Sequence, residues 1–160
     1  MSGGGASLDA RGTSIDGNRL GGIIVQRGAD LQTLQAARLT GNGGVGLALT
    51  DTTRVTQVKR CSFAGTFMAT FQTDQGMIAV GDGLSMASAT GMLVTRSRFD
   101  ANGRFGILLR DARGSVTNNE GDRNSIDIGA YGMGGLTLAN NRVFGAAPMP
   151  GAPATAAIGP

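Results

Sequence analysis

The fold is decided by one repeating stretch, Val94-Thr95-Arg96-Ser97-Arg98-Phe99-Asp100-Ala101-Asn102-Gly103-Arg104-Phe105-Gly106-Ile107. Its first half recurs in blocks that begin at Ala10, Leu34, Val58, Val116 and Leu138. Its second half recurs around Asn18, Asn42 and, in a degenerate form, Asn124. Successive blocks are 22 or 24 residues apart, except for one step of 36 residues after Val58. A fixed period of this length is typical of a solenoid, in which each repeat forms one coil.

The segments between the blocks predict strands rather than helices. Apolar and small residues alternate with a period of two at 23–25, 45–49 and 105–109, which favours short β-strands. Gly makes up 28 of the 160 residues and interrupts every candidate helix, and the pattern of a leucine-rich repeat is missing. We therefore predict an all-β protein, a right-handed parallel β-helix of about six coils of 22–24 residues, with one insertion near 66–83.

The predicted domain occupies residues 8–146, between a leader at 1–7 and a Pro/Ala/Gly-rich tail at 147–160. The first residues show no signal-peptide pattern, and no apolar run is long enough for a membrane span. Neither end carries an amphipathic cap, although an uncapped solenoid exposes unpaired strand edges. These features predict either end-to-end self-association or further coils of a longer parent protein.

Two sets of repeated positions predict how the coils hold together. The apolar members of the blocks should stack inside, because one coil cannot bury its apolar face alone. The asparagines share two repeat positions, one occupied by Asn18, Asn42, Asn102 and Asn124 and the other by Asn119 and Asn141. Asn tolerates a left-handed backbone, and its amide can bond to its own turn or to the Asn of the next coil. We interpret these residues as structural rather than ligand-binding.

The insertion breaks the repeat, and two interpretations of it remain open. Insertions in a solenoid emerge as loops on one face, which is often the binding face. The alternative is a loop that folds over the coil wall, with Phe67, Met68, Phe71 and Met77 packed against it.

Composition excludes several classes of function. The formal net charge is +3, the 14 basic residues form no blocks, and aromatic residues are only 4%, so nucleic acid is not a predicted partner. His is absent and Cys61 is the single cysteine, which removes His-dependent nucleophilic catalysis and ordinary zinc sites. Cys61 falls on the repeat and is predicted to be a small buried side chain.

The pattern Val/Leu-Thr-x-Asn/Ser-x-Phe-x-x-Asn-x-x-x-Gly-Ile/Leu, present from Val94 to Ile107, resembles the parallel β-helix repeat of the pectate-lyase-like superfamily. Residues 22–29 are similar to coils of large secreted or surface β-helix proteins of myxobacteria and their relatives. The resemblance implies an extracellular or cell-surface location. The superfamily includes polysaccharide lyases, in which acidic residues bind Ca²⁺ beside an Arg that acts as the catalytic base. No such motif matches here residue by residue, so no catalytic residue is predicted.

The repeat places charged residues in outward-facing columns. Arg60 and Arg96 share one position, and Asp100 and Asp122 share another in adjacent coils. An arginine column can clamp acidic sugars through bidentate hydrogen bonds. The predicted ligand-binding residues are Arg60, Arg96, Arg98, Asp100 and Asp122.

The close pair of carboxylates requires a compensating cation, which leaves two alternatives open. Bound Ca²⁺ is one alternative, and Arg98 and Arg123, which are near in sequence, are the other. We predict no cofactor and no metal site as the main interpretation.

The predicted function is a non-catalytic β-helix module of a longer exported or surface protein, structural and able to bind acidic polysaccharide. The alternative is a carbohydrate-active enzyme of the lyase or hydrolase type, or a fragment of one. The absence of His and the small number of acidic residues favour the first interpretation.

Overall fold

The computed structural model describes residues 6–51, 56–73, 76–132 and 134–144. The described residues form three parallel β-sheets that run along the sides of a solenoid, together with one antiparallel hairpin. This confirms the predicted all-β parallel solenoid. No helical segment in the described ranges has the length and apolar character that crossing a bilayer requires.

Each sheet contains one strand from each successive coil. The first sheet contains β1 (Ser7–Arg11), β4 (Asp30–Gln35), β7 (Gln57–Lys59), β12 (Met92–Thr95), β15 (Gly114–Thr117) and β18 (Leu136–Ala139). The second contains β2 (Ser14–Asp16), β5 (Arg38–Thr40), β8 (Ser62–Ala64), β13 (Arg98–Asp100), β16 (Glu120–Asp122) and β19 (Arg142–Phe144). The third contains β3 (Ile23–Val25), β6 (Val45–Thr50), β11 (Asp82–Ala87), β14 (Phe105–Arg110) and β17 (Ile126–Tyr131).

The described chain therefore forms five complete coils, numbered 1 to 5 from β1, and the first two strands of a sixth. The expected sixth coil is incomplete in the described residues, because the chain that follows β19 lies outside them. The pairings also confirm the predicted phase of the repeat. Val58 pairs with both Leu34 and Val94, and Val116 pairs with both Val94 and Leu138.

Stacked apolar side chains fill the space between the three sheets. Leu34, Val58, Val94 and Val116 are fully buried in one column. In a second column, the rings of Phe63 and Phe99 are stacked with their centroids 4.9 Å apart. Burial of each such side chain contributes about 1.5–3 kcal/mol. Because neighbouring coils supply this burial, the core is continuous along the rod.

The corners of the coils use left-handed backbone, and several are followed by a side chain that forms hydrogen bonds with a neighbouring coil. At the first corner, between the first and second sheets, Arg60 and Arg96 have φ of 53° and 52°. A non-Gly residue in this region costs about 1–2 kcal/mol. The cost recurs at the corners that lack Gly, and the hydrogen bonds made beside the corners help to offset it.

The asparagines supply those hydrogen bonds. Asn102 donates from Nδ2 to Phe63 O (3.2 Å) in the preceding coil and to Asn124 Oδ1 (2.8 Å) in the following coil. Asn18 makes the same bond to Asn42 Oδ1 at 2.9 Å. Asn119 and Asn141 form a second ladder at the first corner, with Nδ2 to Oδ1 at 3.0 Å. The contacts agree with the structural interpretation of these residues.

The ladder of the second corner, between the second and third sheets, is interrupted at Thr66, which occupies the Asn position in coil 3. Its backbone N–H donates to Asn102 Oδ1 at 3.2 Å, as an Asn there would. Its hydroxyl oxygen is buried and has no hydrogen-bond partner among the described residues. A buried hydroxyl without a partner destabilises the folded state by about 1–3 kcal/mol.

The insertion is a hairpin of β9 (Ala69–Thr73) and β10 (Gly76–Val80) between β8 and β11. Phe71 packs on Gly44, where a Cβ atom would lie 2.7 Å from the ring. Met68 lies on Gly81 and Gly103 in the same way, although it is about half exposed. Met77 is 65% exposed. Phe71 therefore packs against the coil wall as one interpretation of the insertion expected, and Met68 does so in part. Met77 does not pack against the wall.

A buried ion pair fastens the hairpin to the next coil. The carboxylate of Asp82 is fully buried and receives Arg104 Nε (2.8 Å) and Nη2 (2.7 Å). Arg104 Nη1 also donates to Ala79 O at 2.9 Å in β10. One guanidinium therefore joins coil 3, coil 4 and the hairpin.

We expect the substitution Thr66→Asn to raise the free energy of unfolding by about 1–2 kcal/mol, because the longer side chain completes the ladder. Its amide would donate to Leu39 O and accept from Asn42, as the equivalent asparagines do. Denaturant unfolding measures the change. The control is Thr66→Val, which removes the hydroxyl without adding a ladder bond, and an Asn variant no more stable than the Val variant would contradict the interpretation.

We expect Arg104→Met to lower the free energy of unfolding by about 3–5 kcal/mol, because it leaves a buried carboxylate without its cation. The matched control is Arg123→Met, which removes an exposed bidentate pair with Asp100 and should lower the free energy of unfolding much less, because solvent screens an exposed pair. Equal losses in chemical denaturation would show that the Asp82 pair does not anchor the coil.

Candidate anion-binding cleft

A cleft with a volume of about 530 Å³ runs along the first corner over coils 2 to 5. Its floor consists of the small buried side chains of Ala37, Cys61 and Ser97. These residues directly follow the left-handed corner residues, so the backbone turns inward beneath them. The depression exists because no large side chain occupies this position in coils 2 to 4.

Two rows of side chains border the floor. The corner row consists of the left-handed residues Ala36, Arg60, Arg96 and Asn118. The strand row consists of the first residues of the second-sheet strands, Arg38, Ser62, Arg98 and Glu120. Equivalent residues in successive coils lie about 4.8 Å apart, so each row presents one side chain per coil to the cleft.

The cleft is strongly basic, because four arginines and one glutamate line it. Arg60 and Arg96 stand on successive coils, and within the described residues no carboxylate forms an ion pair with either of them. Like charges this close repel unless an anion lies between them. Guanidinium groups hold carboxylates and sulfates through paired hydrogen bonds. The row is therefore suited to an anionic ligand.

The structure separates the five predicted site residues into two groups. Arg60, Arg96 and Arg98 border the cleft. Asp100 and Asp122 lie at the other end of their strands, where they pair in register in adjacent coils. The sequence placed all five on the outer surface, but it did not show that the carboxylates lie outside the cleft.

Arg123 faces both carboxylates in the structure. Arg123 binds Asp100 through Nε (3.0 Å) and Nη2 (2.6 Å), and its Nε lies 3.6 Å from Asp122 Oδ2. The hydrogen bond with Asp100, followed by the charges of both carboxylates, raises the pKa of Arg123. Arg98 Nη2 lies 3.7 Å from Asp100 Oδ2 as well.

The donor set around this pair does not fit calcium. Ca²⁺ takes six to eight oxygen ligands, whereas both oxygens of Asp100 already accept from Arg123. Among the described residues no three His, Cys, Asp or Glu side chains come together as ligands.

Sequence reasoning did not identify Glu120 or Asn118 as part of the site. Both share repeat positions with the predicted arginines, Glu120 with Arg98 and Asn118 with Arg96. The signal that could have found them is the repeat itself, because every member of a column faces the same groove. The change from Arg to Glu and Asn in coil 5 means that the cleft has a basic end and a less basic end.

Cys61 is part of the floor and is chemically protected. Its side chain is 3% exposed, and its Sγ lies 3.3 Å from Leu34 O and from Lys59 O. Burial raises the pKa of the thiol, so the reactive thiolate is scarce at neutral pH. These features confirm the predicted burial of Cys61.

Comparison with protein-family models, with curated proteins and with solved structures finds no significant match to this chain. The fold is therefore established by the structure, and the similarity to pectate-lyase-like and myxobacterial repeats remains a prediction.

We expect the Cys61 thiol of the native protein to resist an aromatic disulfide reagent at neutral pH, because it is buried and its pKa is raised. After denaturation the single thiol should react to completion. The absorbance of the released thiolate measures the extent of reaction. Rapid stoichiometric labelling of native protein would contradict the described floor of the cleft.

Proposed function

We propose that this domain is a non-catalytic binding module whose rigid solenoid holds an acidic polysaccharide in the basic cleft. The observation that carries the proposal is the pair Arg60 and Arg96, which border the cleft without a carboxylate partner among the described residues. Both side chains are exposed on neighbouring coils, and a ligand that brings negative charge would remove the repulsion between them and bind both.

The shape of the cleft favours a linear polymer over a small anion. It extends over four coils, or about 14 Å at the usual spacing of strands, and lies parallel to the axis of the solenoid. The polar side chains of Ser62 and Asn118 border the cleft beside the guanidinium groups. Hydroxyl and carboxylate groups of successive sugar rings match such a mixture of neutral and cationic donors.

The described lining of the cleft contains neither a His nor a pair of carboxylates, which favours binding without turnover. The whole chain contains no His, and the nucleophile candidate Cys61 is buried with a raised pKa. A pair of carboxylates free to act as acid and base is typical of glycoside hydrolysis. Here Asp100 and Asp122 are engaged by Arg123 outside the cleft.

The proposal includes a location where acidic polysaccharides are met, outside the cell or at its surface. A stack of coils suits such a role, because every backbone strand is bonded to its neighbours and the groove keeps its shape without a ligand. Because the backbone beneath the arginines is already ordered, binding has to order only the side chains.

We expect the double substitution Arg60→Gln and Arg96→Gln to weaken binding of polygalacturonate by about tenfold or more, because two charge-assisted contacts are lost. The salt dependence of binding should decrease as well. Isothermal titration at several salt concentrations measures both effects. The matched control is Arg110→Gln with Arg113→Gln, which removes the same charge from exposed positions outside the cleft.

Equal losses in the two double variants would show that net charge, not the cleft, controls binding. Neutral dextran serves as the control polymer and should not bind. Prolonged incubation of the protein with polygalacturonate should release no unsaturated uronate and no new reducing ends. Formation of either product would replace the binding module with the alternative function, a polysaccharide lyase or hydrolase.

A further inference from the structure

The strand row continues beyond the cleft as a column with a period of two coils. Its members, in order of coil, are Ser14, Arg38, Ser62, Arg98, Glu120 and Arg142. Every second coil carries Arg, and the coils between carry Ser, Ser and Glu. Each residue begins a strand of the second sheet, so all six are equivalent by register rather than by chance proximity.

This column sets a repeat distance for a ligand that lies along the axis. The side chains of Arg38, Arg98 and Arg142 are exposed, and their Cα atoms are spaced two coils, or about 9.6 Å, apart. Each ring of an extended glycan advances the chain by about the spacing of one coil. Successive arginines of the column therefore face every second sugar ring.

Glu120 determines what the ring between two arginines can carry. It lies in register between Arg98 and Arg142, and its half-exposed carboxylate is 3.8 Å from Arg142 Nη1. Opposite it in the corner row stands the neutral Asn118 rather than an arginine. A ligand carboxylate at this coil would meet the Glu120 carboxylate without an arginine from the corner row to hold it, and it would compete with Glu120 for Arg142, which is unfavourable.

We infer that the cleft selects a linear glycan with an acidic group on every second ring, and that Glu120 is the specificity-determining residue. This inference rests on the proposed function and names the ligand class for the same cleft. An alternating chain places its acidic rings against Arg38 and Arg98 and its neutral rings against Ser62 and Glu120. The hydroxyl or amide groups of the neutral rings can donate hydrogen bonds to the Glu120 carboxylate.

A uniform polyuronate fits coils 2 to 4, because Arg60 reaches coil 3 from the corner row. Its binding is unfavourable at coil 5, where a carboxylate of the ligand approaches the carboxylate of Glu120. Non-specific attraction predicts the opposite preference, since a uniform polyuronate carries twice as many charges per ring as an alternating chain. The two explanations therefore predict opposite orders of affinity for the uniform and the alternating chain.

The test compares two hexasaccharides of equal length. One alternates uronic acid with N-acetylhexosamine, and the other consists of galacturonic acid alone. Titration calorimetry at fixed salt should show tighter binding of the alternating hexasaccharide to the unmodified protein. Glu120→Gln should tighten binding of the uniform hexasaccharide by about threefold and change binding of the alternating one by less than twofold.

The matched control is Asp111→Asn, which removes one exposed carboxylate directly after β14, at the corner between the third sheet and the first sheet of the next coil. Asn tolerates the left-handed backbone of this position. The substitution should leave both affinities unchanged. Tighter binding of the uniform hexasaccharide to the unmodified protein, with equal effects of Glu120→Gln on both ligands, would overturn the inference and leave the proposed function standing. Failure of both hexasaccharides to bind would overturn both proposals.

Discussion

The structure depends on the register of parallel hydrogen bonds between successive coils. A single coil of 22–24 residues is one strand thick and cannot bury its own apolar side chains. Once equivalent residues are aligned, however, the side chains stacked around Phe63 and Phe99 bury one another and exclude water. The asparagine ladders fix the same alignment from the corners, because an amide displaced by one residue would lose the carbonyl and amide partners that Asn102 finds in both neighbouring coils.

The same register also generates the surface. An apolar residue that recurs at a repeat position facing the interior forms a core column. A charged residue that recurs at a position facing the solvent forms a row of charges on the surface. Arg60 and Arg96 illustrate how the two are coupled, because they occupy the strained corner positions that let the next residues enter the interior. The small side chains that follow them, Cys61 and Ser97, leave a depression beneath the guanidinium groups. Core packing and the basic cleft therefore arise from the same turns.

The sequence was sufficient to predict the solenoid, its phase and the inward columns, because repetition in sequence becomes translation in space. It did not predict the form of the insertion, since the pairing of β9 with β10 depends on contacts such as Phe71 with Gly44 that no repeat position records. It also left open how Asp100 and Asp122 are compensated. Whether a metal or Arg123 faces them depends on the direction of one long side chain, which local pattern does not specify.

The central claim is that residues one repeat apart lie side by side in parallel strands. Nuclear Overhauser effects between backbone protons of the first sheet test it most directly in solution. The account predicts cross-strand signals that connect Leu34 to Val58 and Val58 to Val94, a separation of 36 residues in the second case. Signals that instead pair Val58 with residues outside these positions, or a pattern of sequential amide contacts typical of helix, would contradict the parallel solenoid and every column derived from it.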